Sequence, residues 1–324
     1  MSPAVSVVMS AYNSSKHIRQ SVQSVLDQTF GDFEFVIVND GSTDDTPAIL
    51  DEIANRDGRV RVIHQENAGL TRALIHGCNE ARGQYIARQD DDDWSHPHRF
   101  ELQVRVLKDN PDICMVSCNT EYVGPNGESL QTFACEANTD QATHQLLYER
   151  KGPPAHGSVM FRRETYTAAG GYRPQFYFGQ DSDLWLRMGV LGKLNYVQSV
   201  LYRAQRSPVS TSGAMAVYQK RFGRLGLDCH RARLAGNSEA EYLAEAEALV
   251  SEVRNVRKLK SSGDAAVEMT YLIGSQLVMN RDSRARRYLW DVICRRPWHV
   301  KAWVRIVQSY LTGRRLAAEE TVRE

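Results

Sequence analysis

A chain of 324 residues and 36.6 kDa, 42% hydrophobic and 24% charged, is composed like an ordinary globular protein, long enough for one large domain and a smaller unit. The balance of 40 Lys+Arg against 39 Asp+Glu excludes a uniformly basic or acidic surface. The charge is uneven all the same, with residues 1–214 at net −6 and residues 215–324 at net +7. No apolar run approaches the roughly 18 residues of a membrane span, and no secretory leader is legible at the start. The six cysteines form no Cys-x-x-Cys pair, and Cys114 and Cys118 read as small core residues, so a reducing cytoplasmic setting is expected.

In chain order the first 120 residues alternate. Strands are predicted at 5–9, 33–38, 60–63, 85–87 and 113–117, with helices at 14–28, 43–55, 69–81 and from Pro97 to about 108. Short apolar strands alternating with helices predict βαβ units around a mostly parallel sheet, with ligands beyond the carboxyl ends of the strands. Four turns should then lie on one edge: Ser10-Ala-Tyr-Asn13, Asn39-Asp-Gly-Ser-Thr43, His64-Gln-Glu-Asn-Ala-Gly69 and the run Asp90 to Asp93. Each has an ordinary reading by itself, since Asn39-Asp-Gly-Ser serves equally as a helix cap and Tyr12 as a core residue. Together they offer an aromatic face and a carboxylate for a nucleobase, with Arg72 close by. Four adjacent carboxylates repel one another by roughly 1 kcal/mol per close pair even in high dielectric. A hard divalent cation, Mn²⁺ or Mg²⁺, that also holds a diphosphate would relieve that cost. No Gly-x-Gly-x-x-Gly follows the first strand and no Gly-x-x-x-x-Gly-Lys occurs, which argues against a nicotinamide dehydrogenase or a P-loop enzyme.

With these residues in view, the chain resembles the family 2 glycosyltransferases, inverting enzymes of GT-A fold. The resemblance runs from Val5 to about Ser210. It is carried by Val5-Ser-Val-Val-Met-Ser-Ala-Tyr-Asn13, Phe35-Val-Ile-Val-Asn-Asp-Gly-Ser-Thr-Asp44, Asn67-Ala-Gly-Leu-Thr-Arg-Ala73, the stretch 83–99, His156-Gly-Ser-Val-Met-Phe-Arg-Arg163 and Gly179-Gln-Asp-Ser-Asp-Leu-Trp-Leu-Arg187. It implies that Ser10, Ala11, Tyr12, Asp40, Asn67, Arg72, Asp90 and Asp91 surround a nucleotide-sugar, with a UDP-sugar favoured. It implies that Asp92, which satisfies both registers of the Asp-x-Asp motif, binds the metal, and that Asp181 is the catalytic base. His156 and Trp185 would face the acceptor, with a core histidine as the alternative reading of His156. The local alternative for Asp181 is a cap on a helix at 182–190. Two departures stand out. Gln180 replaces the acid often found before the base, and Tyr202-Arg-Ala-Gln205 lacks the histidine that can reach the metal. The Gln-x-x-Arg-Trp motif of processive synthases is absent, which favours one sugar per encounter.

From residue 214 the pattern becomes purely helical. Helices are expected at 240–258, 264–279, 283–295 and 299–311, with a partial tetratricopeptide match around Met269, Leu272, Ala285, Leu289 and Pro297. Ala302, Trp303, Ile306, Val307, Tyr310 and Leu311 are expected on one face. Residues 281–324 hold 11 basic and 5 acidic residues, but the tryptophans sit at core spacing and no nucleic-acid motif appears. A solvated face, or contact with the inner face of a membrane, accounts better for the charge.

The sequence thus predicts an α/β protein: a GT-A type, Rossmann-like, mostly parallel sheet with helices on both faces over residues 1–213, and an all-helical appendage over 214–324. The expected activity is transfer of a sugar from a nucleotide-diphospho-sugar to a glycan or lipid-linked acceptor of surface polysaccharide assembly. A nucleotidyltransferase would need a Gly-rich basic loop after the first strand, and a silent sugar-nucleotide-binding protein would not need both Asp92 and Asp181.

Overall fold

The computed structural model describes residues 2–207, 215–259 and 263–320, so the expected boundary between residues 213 and 214 lies outside the described residues. The elements of the sheet region are β1 (Val5–Ala11), α1 (Ile18–Leu26), β2 (Phe33–Asp40), α2 (Thr46–Arg56), β3 (Val60–Gln65), α3 (Leu70–Asn79), β4 (Tyr85–Arg88), β5 (Trp94–Ser95), α4 (Arg99–Asp109), β6 (Ile113–Val123), β7 (Ser129–Phe133), α5 (Thr139–Glu149), β8 (Met160–Arg162), α6 (Arg163–Ala168), α7 (Gln180–Met188) and β9 (Lys193–Gln205). Among the described residues five helices follow: α8 (Ala216–Leu234), α9 (Ala240–Leu259), α10 (Gly263–Met279), α11 (Ala285–Arg295) and α12 (Val300–Glu320).

One sheet runs in the order β3-β2-β1-β4-β8-β6-β9-β5, with β7 paired to β6. β3, β2, β1 and β4 are parallel, and β8 then pairs antiparallel with both β4 and β6. The first four strands therefore end on the same edge, as the alternation requires. Side chains alternate across the sheet. Val5, Val7, Met9 and Ala11 pack with Ile18, Val22, Leu50, Phe100 and Leu107, so α1, α2 and α4 cover that face. Val8 and Ile86 point the other way, toward Leu74, Leu146, Tyr166, Leu184 and Trp185 of α3, α5, α6 and α7. Strands covered on both faces need continuous apolar runs, and this is why β1 and β2 were legible from sequence.

Two compact units emerge. The first comprises residues 1–120, 133–204 and 218–257 and contains the parallel sheet, together with α8 and nearly all of α9. Phe222, Leu225 and Cys229 of α8 and Leu249 and Val253 of α9 enclose Phe176, a few residues ahead of α7. Half-buried Arg173–Glu239 and Arg233–Glu239 ion pairs tie the same region. These helices thus support the segment that carries Asp181.

The second unit comprises residues 121–132, 205–217 and 258–324. Gly124 donates to Glu128 O across the turn between β6 and β7. α10, α11 and α12 pack around Ile273, Leu277, Tyr288, Leu289, Val292, Ala302 and Ile306. The predicted single apolar face on α12 is corrected here. Ala302 and Ile306 are buried, while Trp303, Val307, Tyr310 and Leu311 are exposed, because the apolar arc is wider than α10 and α11 cover. The tryptophans, expected at core positions, also point outward. Among the described residues no helix is long and apolar enough to cross a membrane.

The turns that follow β1 and β2 hold each other. Ser15 N–H donates to Asp44 Oδ2 at 3.1 Å and Thr46 N–H to Asp44 Oδ1 at 3.0 Å. Burial pushes the Asp44 carboxyl up, but the bonds from Thr46 and Ser15 win and lower it from 3.8 to about 2. The depressed folded value stabilises the fold fully above the unfolded pKa and ceases to do so as pH falls through about 2. Asp44→Ala should therefore cost about 1–2 kcal/mol at neutral pH, and the loss should shrink between about pH 4 and pH 2 in urea titrations.

Candidate active site

The site begins with backbone geometry at the carboxyl edge. β1 ends in buried Ser10 and Ala11, and Tyr12 follows at 43% exposure, with Asn13 in the left-handed region at φ 53°. Asn13 N–H donates to Ser42 Oγ at 3.0 Å, and Thr43 N–H donates to Asn13 Oδ1 at 2.8 Å. Gly41 has φ 71°, and a Cβ there would lie 2.6 Å from the Asn67 nitrogen, so only glycine lets the two turns approach.

Asp40 is 2% exposed. Its carboxylate accepts from Gln65 Nε2 at 2.7 Å, Ala68 N at 2.8 Å and Gly69 N at 2.8 Å, while Asn67 Nδ2 donates to the Asp40 carbonyl. Three of about four acceptor positions on Asp40 are thus taken by the loop it organises. That loop leads into α3, where Arg72 is exposed in the first turn and forms no ion pair with another described residue.

The aspartate turn rests on two buried arginines. Arg88, fully buried, pairs with Asp90 Oδ1 at 2.8 Å, donates to the Val8 carbonyl and reaches His156 Nε2 at 3.4 Å. Arg99, also buried, donates to the carbonyls of Arg88 at 2.9 Å and Gly157 at 2.5 Å. Gln89 bonds the carbonyls of Asp90 and Asp93, and Asp90 N–H donates to the Tyr202 hydroxyl at 3.2 Å. A Cβ on Gly157 would fall 1.7 Å from that hydroxyl, so glycine is required there.

Three of these carboxylates are consequently unlike. Asp90 is paired with Arg88. Asp91 accepts from the Tyr12 N–H at 3.1 Å and from the Ser14 hydroxyl, joining the β1 turn to the aspartate turn. Asp92 receives no hydrogen bond from any other described residue. Burial raises the carboxyls of both Asp91 and Asp92, with added repulsion from Asp90 on Asp91 and from Asp91 and Asp90 on Asp92. Among the described residues no group of three or more His, Cys, Asp or Glu side chains is arranged to hold a metal alone. One open carboxylate on a crowded acidic turn suits a Mg²⁺- or Mn²⁺-type ion whose other ligands come from a diphosphate and water.

α7 begins after its N-cap Gly179, which sits in the left-handed region at φ 68°. Asp181 therefore lies inside the first turn and does not cap the helix. Its Oδ1 accepts from the Ser182 N–H at 2.7 Å. Burial, and the charge of Asp90 after it, raise the Asp181 carboxyl. Asp183, by contrast, is a buried structural acid paired with Arg187 at 2.7 Å. Asp181 and Trp185 line a cavity of about 580 Å³ with Phe133, Arg150, Pro153 and Tyr196.

His156, expected beside the acceptor, is not among the residues that line this cavity. Its Nε2 sits 2.6 Å from the Tyr172 hydroxyl, and burial together with Arg88 holds the ring neutral. Trp185, edge-on to His156 at 6.0 Å, does line it. Sequence reasoning missed Ser14, Arg88, Arg99 and Tyr202. The one available signal was Arg88-Gln89, polar residues placed where a buried strand should continue into the aspartates. The cavity residues 133–136 and 150–154 carried none.

A family model described as "Glycosyl transferase family 2" matches residues 6–168. The chain belongs to glycosyl transferase family 2. EpsH of Bacillus subtilis (strain 168), named as a glycosyltransferase, is 29% identical over 81% of this chain and 79% of its own length. Chondroitin synthase of Pasteurella multocida is 29% identical over 62% of this chain, which corresponds to 20% of that longer protein. Among solved structures, TarS 1–349 of S. aureus in complex with UDP aligns with 98% of this chain and 92% of its own, at a TM-score of 0.55 and 17% identity. The mannosyltransferase PcManGT of Pyrobaculum calidifontis, in complex with GDP-Man and Mn²⁺, aligns at a TM-score of 0.52 and 17% identity, covering 97% and 87%. The GT-A type fold expected for this glycosyltransferase is the one it has.

A raised acid pKa means that ionising Asp92 works against the folded state, and the folded protein holds its proton above the ordinary value of 3.8. Stability of the metal-free protein should therefore fall as pH rises from that value into the neutral range. Asp92→Asn should raise the melting temperature at about pH 8 by a few degrees and leave it unchanged near pH 4. Differential scanning fluorimetry with chelator present checks both ends.

Proposed function

We propose that this family 2 glycosyltransferase is an inverting, metal-dependent enzyme that moves one sugar from a nucleotide-diphospho-sugar to a glycan or lipid-linked acceptor. The observation that carries the reading is Asp181, an uncapped carboxylate at a cavity wall whose pKa is raised by burial and by Asp90. A carboxyl lifted toward neutrality is a better base for an alcohol than an ordinary surface carboxylate.

In this reading Tyr12 stacks on the nucleobase, and Asp40 offers its remaining acceptor position to the base edge while it fixes the loop at 67–69. Arg72 would lie near the nucleotide. Asp92 would hold the Mn²⁺ or Mg²⁺, which supplies neutralisation of charge on the leaving diphosphate. Asp90 and Asp91 keep the turn in place through Arg88, Ser14 and Tyr12. Asp181 takes the proton from the acceptor hydroxyl as its oxygen attacks the anomeric carbon. The bond to the diphosphate breaks on the opposite side, so the configuration inverts. Trp185 and Tyr196 shape the acceptor cavity, and His156 acts from behind through Arg88.

UDP is favoured as the nucleotide, since TarS is crystallised with UDP and with UDP-GlcNAc, though the GDP-Man in PcManGT keeps the base open to test. Chondroitin synthase and hyaluronan synthase among the relatives support polysaccharide assembly as the setting. Cytoplasmic action at the inner face of a membrane, reached through residues 281–324, completes the reading.

Asp181→Asn should keep donor binding but lower transfer by roughly two to four orders of magnitude, the usual cost of losing a general base. Near wild-type turnover in a product assay would overturn the assignment. In calorimetry, UDP should bind more weakly with chelator than with Mn²⁺, and Asp92→Ala should remove most of that difference. Equal affinity under both conditions would dismiss the metal role.

A further inference from the structure

α12 is apolar on two sides. Ala302 and Ile306 are buried among the side chains of α10 and α11. On the opposite side Val300, Trp303, Val304, Val307, Tyr310 and Leu311 recur at three- and four-residue spacing and are exposed, Val307 at 55% and Val300 at 71%. Trp303 stands edge-on to Trp290 of α11, with ring centroids 5.7 Å apart, so the face spans both helices. Trp298, between the helices, is 77% exposed. Arg286 stacks 4.1 Å over the Tyr310 ring, placing a cation at the border of the apolar stripe. Residues 281–311 carry eight Lys and Arg against two acidic residues, and Arg281, Arg287 and Lys301 are exposed.

Exposed tryptophans and aliphatics rimmed by cations are the pattern of a helix lying in a bilayer interface. A second copy of the chain would satisfy the apolar stripe but would bring two basic rims together, whereas an anionic surface satisfies both features. We propose that the exposed face of α11 and α12 docks this protein on an anionic lipid bilayer, with Trp290, Trp298, Trp303, Val304 and Val307 entering the headgroup boundary and Arg287 and Lys301 meeting lipid phosphates. Its use, bringing the enzyme to a lipid-linked acceptor, rests on the function proposed above; the binding itself does not.

Flotation of the full chain with phosphatidylcholine vesicles, with and without phosphatidylglycerol, tests this. Binding should require the anionic lipid and weaken with salt as exposed charges are screened. Val304→Ser with Val307→Ser, or Trp298→Ala, should lower partitioning at least tenfold. Arg287→Gln and Lys301→Gln should each weaken it about fivefold. Leu191→Ser, equally exposed but in the first unit, should change nothing. All these side chains are exposed, so folding is not at stake, and donor turnover with a soluble acceptor should match wild type in every variant. Failure to float at low ionic strength, or equal binding to neutral vesicles, overturns the proposal. So does a dimer in sedimentation velocity that the Val304/Val307 double variant dissolves, since the face would then belong to a second copy. Loss of turnover with vesicle binding intact would count against the enzymatic reading alone.

Discussion

Arg88 is buried to the last atom at the end of β4, and the candidate site is arranged around its charge. A lone guanidinium in that position would cost several kcal/mol. It is tolerated because it pairs with Asp90, bonds the Val8 carbonyl on β1 and meets His156. The same three contacts fix the aspartate turn to the central strand and to the segment ahead of β8. Arg99 repeats the device one layer deeper, with backbone carbonyls and the Tyr202 ring in place of a carboxylate. The acidic turn is therefore tied to its scaffold by protein contacts alone, and pre-organisation is what a site needs if binding energy is to reach the transition state.

The carboxylates differ in function because their partners differ. Asp90 spends its charge on Arg88 and Asp91 on the β1 turn, which leaves Asp92 as the carboxylate that remains open. Asp181 and Asp183 divide in the same way on one helix turn. Asp183 is neutralised by Arg187, while Asp181 keeps a nearly unpartnered carboxylate at the cavity. In each acidic group the residues that satisfy one another build the scaffold, and the one left over is available for chemistry. His156 illustrates the converse: burial and Arg88 hold its ring neutral, and both Arg88 and Tyr172 meet its Nε2.

The two units also differ in how they bury their surface. In the first, helices cover both faces of the sheet, and even α8 and α9 are used to enclose Phe176 ahead of α7. In the second, three helices are too few to cover an apolar arc as broad as that of α12, so aromatic and aliphatic side chains remain outside. A small helical unit that leaves tryptophans in solvent gives up burial its own stability would use, which is the physical ground for assigning that face a partner.

The sequence by itself determined the alternating strands and helices, because a two-faced buried sheet demands uninterrupted apolar runs such as those of β1 and β2. It also determined which four turns share an edge, since parallel strands leave no other choice. The candidate residues Tyr12, Asp40, Asp92 and Asp181 followed from that edge and from the family pattern. What it could not determine were relations between residues distant in the chain. The Arg88–His156 contact, the Tyr202 hydroxyl against Gly157, the bond from Ser14 to Asp91 and the cavity joining Phe133 to Asp181 each span dozens of residues, with no period to betray them. The inward side of α12 was equally undetermined, because an apolar arc broader than its neighbours can cover has no unique buried side until they choose one. Local periodicity encodes elements; only packing decides which polar groups are satisfied and which are left to react.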